Sequence, residues 1–414
     1  MTAASQGDPT EAPGARWAAT LTVLSMAHAV GAMTFPAVAA MGPFISQDLA
    51  LSATQFGLLV AAYSATQSIF GLPIGGIIDR IGVRRALMLA MLLVATGSAL
   101  MSLANAFSVA IAAMALTGFG YGFVNPATSK GVFDWFPRER RGTAMGIKQS
   151  GVPLGGILGA GVGALAALLE WHRLLWVIVG CALLAGTACA SLPSWPRGAK
   201  RAARFGMLSD IRAVLADRNL TVFNLATGIY QAGQFNFFAY ITLFMREALH
   251  SSQPLAAACL AIGQGASAIG RLSWGVVSDY LFRGWRKPVL VIIGSTGALA
   301  LVMMSALLPG QGVWLGVMLA VVIGLTVPGY VALVQTIVVE AAEPRLAATA
   351  VGYNRIFTAA GATLGPPIFG ATVDLTRGYA SGWLLTGAIV LAATLLIGLF
   401  FRERASGPYR NATQ

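Results

Sequence analysis

Charge is what this chain has least of. Asp, Glu, Lys and Arg make up 10% of its 414 residues, against ~25% in an ordinary soluble domain. A soluble protein with so little charge could not cover its surface. In a bilayer, lipid is the solvent for most of the surface and the requirement disappears. Cysteine is scarce too: Cys181, Cys189 and Cys259 lie inside apolar runs without metal-type spacing, so no disulfide framework is indicated. The three histidines, His28, His172 and His250, are too scattered for a metal site. There is no GxxxxGKS or GxxxxGKT loop for ATP, no HExxH and no GxSxG. The GFGYG run at 118–122 lacks the strand and helix context of a dinucleotide site. No cofactor, metal or enzymatic chemistry is expected.

Apolar residues, by contrast, form 57% of the chain, and its mean hydropathy is +0.73. Glycine is frequent, with 49 residues, which fits close helix packing in membranes. The net charge of +12 sits in short clusters between apolar runs rather than along one face, which argues against nucleic acid as a partner.

Runs of about 20 apolar residues, long enough to span a bilayer, fall at 18–43, 55–78, 86–104, 107–131, 143–168, 173–194, 220–245, 254–277, 288–308, 313–339, 347–371 and 378–401. The fold class expected is an all-α membrane protein of twelve helices in two pseudo-symmetric six-helix bundles. With both ends in the cytoplasm, twenty of the 27 Lys and Arg fall in inside segments. Only Arg173, Arg246 and Arg377 lie outside, and Lys130, Lys148, Arg271 and Arg355 lie within the runs. That asymmetry sets the orientation. The organisation expected is a cytoplasmic tail at 1–16, a bundle at 17–194, a linker at 195–219, a second bundle at 220–401 and a tail at 402–414. The linker carries a basic cluster and then a short amphipathic pattern (Leu208, Ile211, Leu215).

The two halves repeat each other. Gly75-Gly76-Ile77-Ile78-Asp79 followed by Arg80, Gly82, Arg84 and Arg85 corresponds, 200 residues on, to Gly275-Val276-Val277-Ser278-Asp279 followed by Gly284, Arg286 and Lys287. Thr143, Gly146, Gly155 and Gly159 correspond, at an offset of 206, to Thr349, Gly352, Gly361 and Gly365, and Asp134 corresponds to Glu340. Six helices plus six with a central loop is a known transporter plan, with the substrate site between the halves.

The stretch Gly75 to Arg85, with its degenerate copy at Gly275 to Lys287, resembles the signature loop of the major facilitator superfamily. The resemblance implies a latch at the cytoplasmic ends of the bundle, built on Gly75, Asp79, Arg80, Gly82, Arg84, Arg85, Gly275, Asp279, Asp134 and Glu340. Gly146, Gly155 and Gly159 partly resemble the antiporter pattern of the superfamily, with Ala160 where that pattern has Pro. Met114 stands where proton-coupled members have Arg.

No acidic residue falls in the middle of a run, so the intramembrane charge is wholly basic, and such charges are functional candidates. Arg271 lies eight residues, ~12 Å of helix, before Asp279. A guanidinium pairs bidentately with a carboxylate, and an Arg placed four residues before this Gly is similar to the monocarboxylate and oxalate carrier branches, where it holds the substrate carboxylate. The alternative is an Arg that braces the cytoplasmic gate. Arg355 and Lys148 are further cationic candidates. Asn125, Gln149, Gln231, Gln234, Asn236, Tyr63 and Tyr330 are polar candidates, each equally able to serve as an interhelical hydrogen bond. His28 is the one mid-membrane group that titrates near neutrality, a candidate for proton coupling or a packed neutral ring.

The function expected is secondary transport of a small organic anion, a carboxylate, across a bacterial inner membrane, by proton symport or anion exchange. The partners expected are that anion, a proton or counter-anion, and lipid, with the chain acting as a monomer. The alternatives are proton-antiport efflux of drugs or metabolites, and a transporter-like sensor.

Overall fold

In a computed structural model, the described residues are 16–193, 207–309, 312–343 and 346–403. The expected N-terminal tail before Arg16, the linker from 195 to 206, Arg345 and the tail beyond Glu403 lie outside them. Every regular element is helical.

Six helices precede the linker: α1 (Arg16–Ala40), α2 (Ala53–Ile69, continued after Phe70 by Gly71–Ile81), α3 (Val83–Ser102), α4 (Phe107–Trp135), α5 (Arg141–Gln149 and Gly151–Ala164) and α6 (Trp171–Cys189). Six follow it: α7 (Arg218–Leu243), α8 (Gln253–Val276), α9 (Arg286–Ser305), α10 (Gly312–Thr326 and Val331–Ala341), α11 (Ala347–Thr376) and α12 (Tyr379–Phe400). Ten of them are individually long and apolar enough to cross a membrane. The other two fall short for visible reasons. The helical run of α2 is interrupted at Phe70, and α7 dilutes its apolar surface with Asn219, Asn224, Gln231, Gln234 and Asn236.

The first apolar run ends sooner than its sequence implies. Pro43 has no N–H to continue the helix, so the chain turns at Met41 and starts a short helix, Gly42–Asp48, with Pro at its first turn. That helix meets α2 at 117° and so lies across the outer end rather than extending a span. The tenth run is also broken: Pro328 and Gly329 sit in a turn at 327–330 between the two segments of α10. In the linker, a helix covers Met207–Ala216, with Val214 buried and Leu215 exposed.

The repeat is legible in three dimensions. Gly82 and Gly284 adopt φ of 82° and 85°, a left-handed region that only glycine enters without penalty, and each makes the turn out of its cytoplasmic loop motif. Gly155 packs α5 on α1 so closely that a methyl group would overlap the Ala29 carbonyl oxygen. Its counterpart Gly361 packs α11 on α7 against the Gly228 carbonyl oxygen. Each bundle thus has a close backbone seam at this pair, and of the glycines that resemble an antiporter pattern Gly155 and Gly159 are occupied by such packing, whereas Gly146 is not.

The bundles meet along α2 and α11, α5 and α8, and α1 and α7. The polar contacts across that interface concentrate on its outer part. The Asp374 carboxylate, at the outer end of α11, accepts hydrogen bonds from the backbone N–H of Ala53 and Thr54, both at 2.9 Å, and from the Thr54 hydroxyl, capping α2 from the opposite bundle. Tyr240 donates to the Ala53 carbonyl at 2.8 Å. Gln253 Nε2 donates to the carbonyls of Ala40 and Gly163 at 2.8 and 2.9 Å. Farther in, Ser64 donates to the Ala362 carbonyl at 3.1 Å.

The cytoplasmic ends behave otherwise. Lys130 bridges Asp79 (3.3 Å) and Asp134 (3.4 Å) inside the first bundle. Arg286 bridges Asp279 (3.8 Å) and Glu340 (3.0 Å) inside the second. Among the described residues no ion pair joins the two sets, Arg80, Arg84 and Arg85 have no acidic partner, and a Cβ on Gly75, Gly275, Gly146 or Gly352 would meet nothing within 4 Å. The described polar contacts that join the bundles thus lie towards the outside, and the ion pairs at the cytoplasmic ends stay within one bundle.

Two predictions follow from these seams. Gly361→Val should destabilise the protein by roughly 1–3 kcal/mol through overpacking, read as a lowered midpoint of thermal unfolding in detergent, whereas Gly352→Ala should not. Asp374→Ala removes an exposed cap worth about 1 kcal/mol, so the outward-open population should rise about fivefold. Spin labels at the exposed outer positions Ala50 and Arg377 should then report a larger long-distance fraction. An unchanged distance distribution would mean that the cap does not hold the seal.

Candidate functional site

Below the outer contacts, polar side chains from both bundles face a shared space, the candidate site. Arg271, half-buried on α8, is fixed from the α10 side: its Nε lies 3.4 Å from the Pro328 carbonyl oxygen. The break in α10 makes that acceptor available, because Pro328 and Gly329 interrupt the helical ladder. One turn on, Trp274 donates to the Leu325 carbonyl at 2.7 Å, so two side chains of α8 hold α10 at its break. Among the described residues, the two terminal nitrogens of Arg271 make no hydrogen bond or ion pair. They remain as a pair of free parallel donors, the geometry that suits a carboxylate.

Arg271 does not stand alone. Tyr121, on α4, lies within the electrostatic reach of both Arg271 and Arg355, and Lys148 lies within that of Arg355. The cations of α5, α8 and α11 therefore converge on one space. Arg355 is exposed to it. Lys148 is 0% exposed; its ammonium donates to Asn125 Oδ1 at 2.7 Å and to Ser129 Oγ at 2.8 Å. Among the described residues no carboxylate pairs with any of the three.

Polar and aromatic groups complete the walls. Tyr330 donates to Gln231 Oε1 at 2.7 Å, fixing the Gln231 amide at the interface of α7 and α10. Gln234 is buried one turn along the same face of α7, and its Oε1 has no partner. Phe235 stacks on Phe35 across the bundle interface with ring centroids 5.6 Å apart. Phe35 stacks on Tyr63 at 5.5 Å, and Tyr63 on Tyr121 at 6.0 Å. This aromatic column runs from the first bundle to the second across their interface. His28 is buried beside the column, edge-on to Tyr121 at 6.4 Å, with Nδ1 unpaired. Gln149 is exposed.

Asn236 is not brought to this cavity. Its amide lies 3.1 Å from Thr386 Oγ1 and borders an apolar recess of about 270 Å³ between α7, α11 and α12 that contains no charged group. Four residues that the sequence reading passed over do belong here: Tyr121, Ser129, Phe35 and Gln264. Tyr121, Asn125 and Ser129 recur every fourth residue, a single stripe on one face of α4. The surrounding glycines drew the eye away from it. Gln264 lies two turns before Arg271 on α8 and packs against Gly156 of α5, a contact between bundles that no pattern within one helix announces.

Two six-helix bundles, joined by polar contacts at their outer ends and bringing cations together between them, define a polytopic membrane protein. The chain belongs to the Major Facilitator Superfamily, whose family model matches residues 21–366. It is similar to the hexuronate transporter of Bacillus subtilis (strain 168), at 25% identity over 93% of this chain and 94% of that protein. It is also similar to the galacturonate transporter of Dickeya chrysanthemi, at 27% identity over 42% of this chain and 51% of that one. In fold it resembles the inward-facing, unoccupied crystal structure of a bacterial homolog of the human lysosomal transporter Spinster, with a TM-score of 0.77, 16% identity and coverage of 97% and 100%.

Proposed function

We propose that this protein moves a small organic monoanion, a sugar acid of the hexuronate kind, across a bacterial inner membrane by alternating access. The observation that carries the reading is the free guanidinium of Arg271, anchored at one nitrogen, with Arg355 near the same space and no opposing carboxylate among the described residues. An anion is the complement that such a site lacks. Arg271 supplies the charged contact, and Arg355, on the cytoplasmic side, draws anions to the cavity or contacts their far end. The hydroxyls of a sugar acid match the uncharged donors and acceptors around it: Gln231 and Tyr330 on one side, Asn125 and Gln149 on the other, and the unpaired Gln234 carbonyl. The names of the two relatives point to the same class of compound. Rocking of one bundle against the other would exchange the outer seal for a cytoplasmic one formed by the paired loop motifs.

The test is ligand-induced thermal stabilisation of the purified protein with D-glucuronate, D-galacturonate, simple mono- and dicarboxylates, inorganic phosphate and cationic drugs. A ligand at a hundred times its Kd adds about 2.7 kcal/mol of stability. Sugar acids should stabilise, and Arg271→Ala should weaken their binding at least about thirtyfold, because stranding one partner of a desolvated charge pair costs about 2–5 kcal/mol. Stabilisation by hydrophobic cations alone would overturn the anion reading in favour of efflux.

A further inference from the structure

Lys148 has no obvious place in that scheme. It is fully buried, so it does not touch a substrate in the cavity, and burial of a lone ammonium is costly. Its two short hydrogen bonds go to neutral oxygens. The groups that face it from each neighbouring element are equally without negative charge. On α1 there is His28, packed where α5 crosses it at Gly151; on α4 there are Asn125, Ser129 and Tyr121; from α11 comes the field of Arg355. The acidic residues nearest in sequence are engaged or exposed: Asp134 pairs with Lys130 at the cytoplasmic end, and Glu139 is exposed among Arg138 and Arg140.

We propose that Lys148 is the proton carrier of the transport cycle, taking the part for which this chain has no membrane carboxylate. This rests on the anion reading above and deepens it. An ammonium held only by neutral oxygens, with a second cation nearby, has no negative charge to answer it. A carboxylate bound at Arg271 and Arg355 supplies that charge and favours the protonated amine. By linkage, the proton strengthens the anion's hold equally. Lys148 Nζ gains one proton from the outer side as the anion binds. It loses that proton to the cytoplasm as the anion leaves. The only bond made and broken is N–H, and one positive and one negative charge cross together. Asn125 and Ser129 are half-buried, and the Ser129 hydroxyl, which both accepts and donates, links the sealed amine to the cavity.

The experiment uses the purified full-length protein in liposomes loaded with a pH-sensitive dye, with radiolabelled D-galacturonate as the probe. Protons and anions are counted in the same vesicles. The wild type should move one proton per galacturonate and be indifferent to an imposed membrane potential. Lys148→Gln can keep both hydrogen bonds but cannot titrate, and Lys148→Arg keeps the charge but does not release it. In whatever anion flux either variant retains, the proton ratio should fall from one to near zero and the flux should become sensitive to potential. A ratio still near one in Lys148→Gln, a wild type that moves no protons, or loss of all anion flux in both variants while galacturonate still stabilises them would each overturn the proposal. Failure of the anion reading is recognised separately: the wild type would then neither bind nor move galacturonate or glucuronate.

Discussion

Positive charge inside a low-dielectric slab, without a protein carboxylate to answer it, is the condition around which this molecule is arranged. Ionised groups are tolerated in a membrane interior only where they meet partners or water. Here Arg271 is half-buried and Arg355 exposed, and Lys148 is wrapped in neutral oxygens. The ordinary remedy, an Asp or Glu on a facing helix, is absent among the described residues. The site is left with a standing deficit of negative charge that a ligand can fill.

The seal on the opposite side uses different physics. Across the outer interface the contacts are hydrogen bonds to backbone ends: Asp374 on the first amides of α2, and Gln253 on the last carbonyls of α1 and α5. Helix ends present unsatisfied groups, so a side chain from the other bundle can close the seam without bringing a new charge pair into the membrane. Such contacts are individually weak and few. A gate of this kind holds one state while leaving another within a few kcal/mol, which a transporter needs.

Much of this was legible in the sequence, and the exceptions have physical causes. The spans, the orientation and the paired loop motifs are one-dimensional signals: run length, the distribution of Arg, and repetition. Arg271, Arg355 and Lys148 stood out because any charge in an apolar run stands out. Asn236 was grouped with Gln231 and Gln234 because the three lie within six residues of α7. Helical geometry, however, turns Asn236 towards Thr386 while Gln231 meets Tyr330. Tyr121 and Gln264 were passed over because their importance comes from a neighbouring helix. The outer seal was invisible for the same reason: nothing local in Asp374 says that it caps a helix more than three hundred residues away. Proximity in sequence informs about one helix face; contacts between bundles need the fold.

The internal symmetry also shows where the halves have parted. At the cytoplasmic ends they still match: in each, two acids from equivalent positions share one cation, although Lys130 comes from α4 and Arg286 from the start of α9. At the packing seams they match again, glycine for glycine. In the membrane interior they do not. The second bundle contributes guanidiniums with donors free for a ligand, and the first contributes an ammonium turned inward and sealed. A guanidinium stays charged under all ordinary conditions, whereas an ammonium readily changes its protonation when buried. The fixed charge and the variable charge thus sit in opposite bundles. In the proposed cycle, their mutual influence would pass through the space between the bundles.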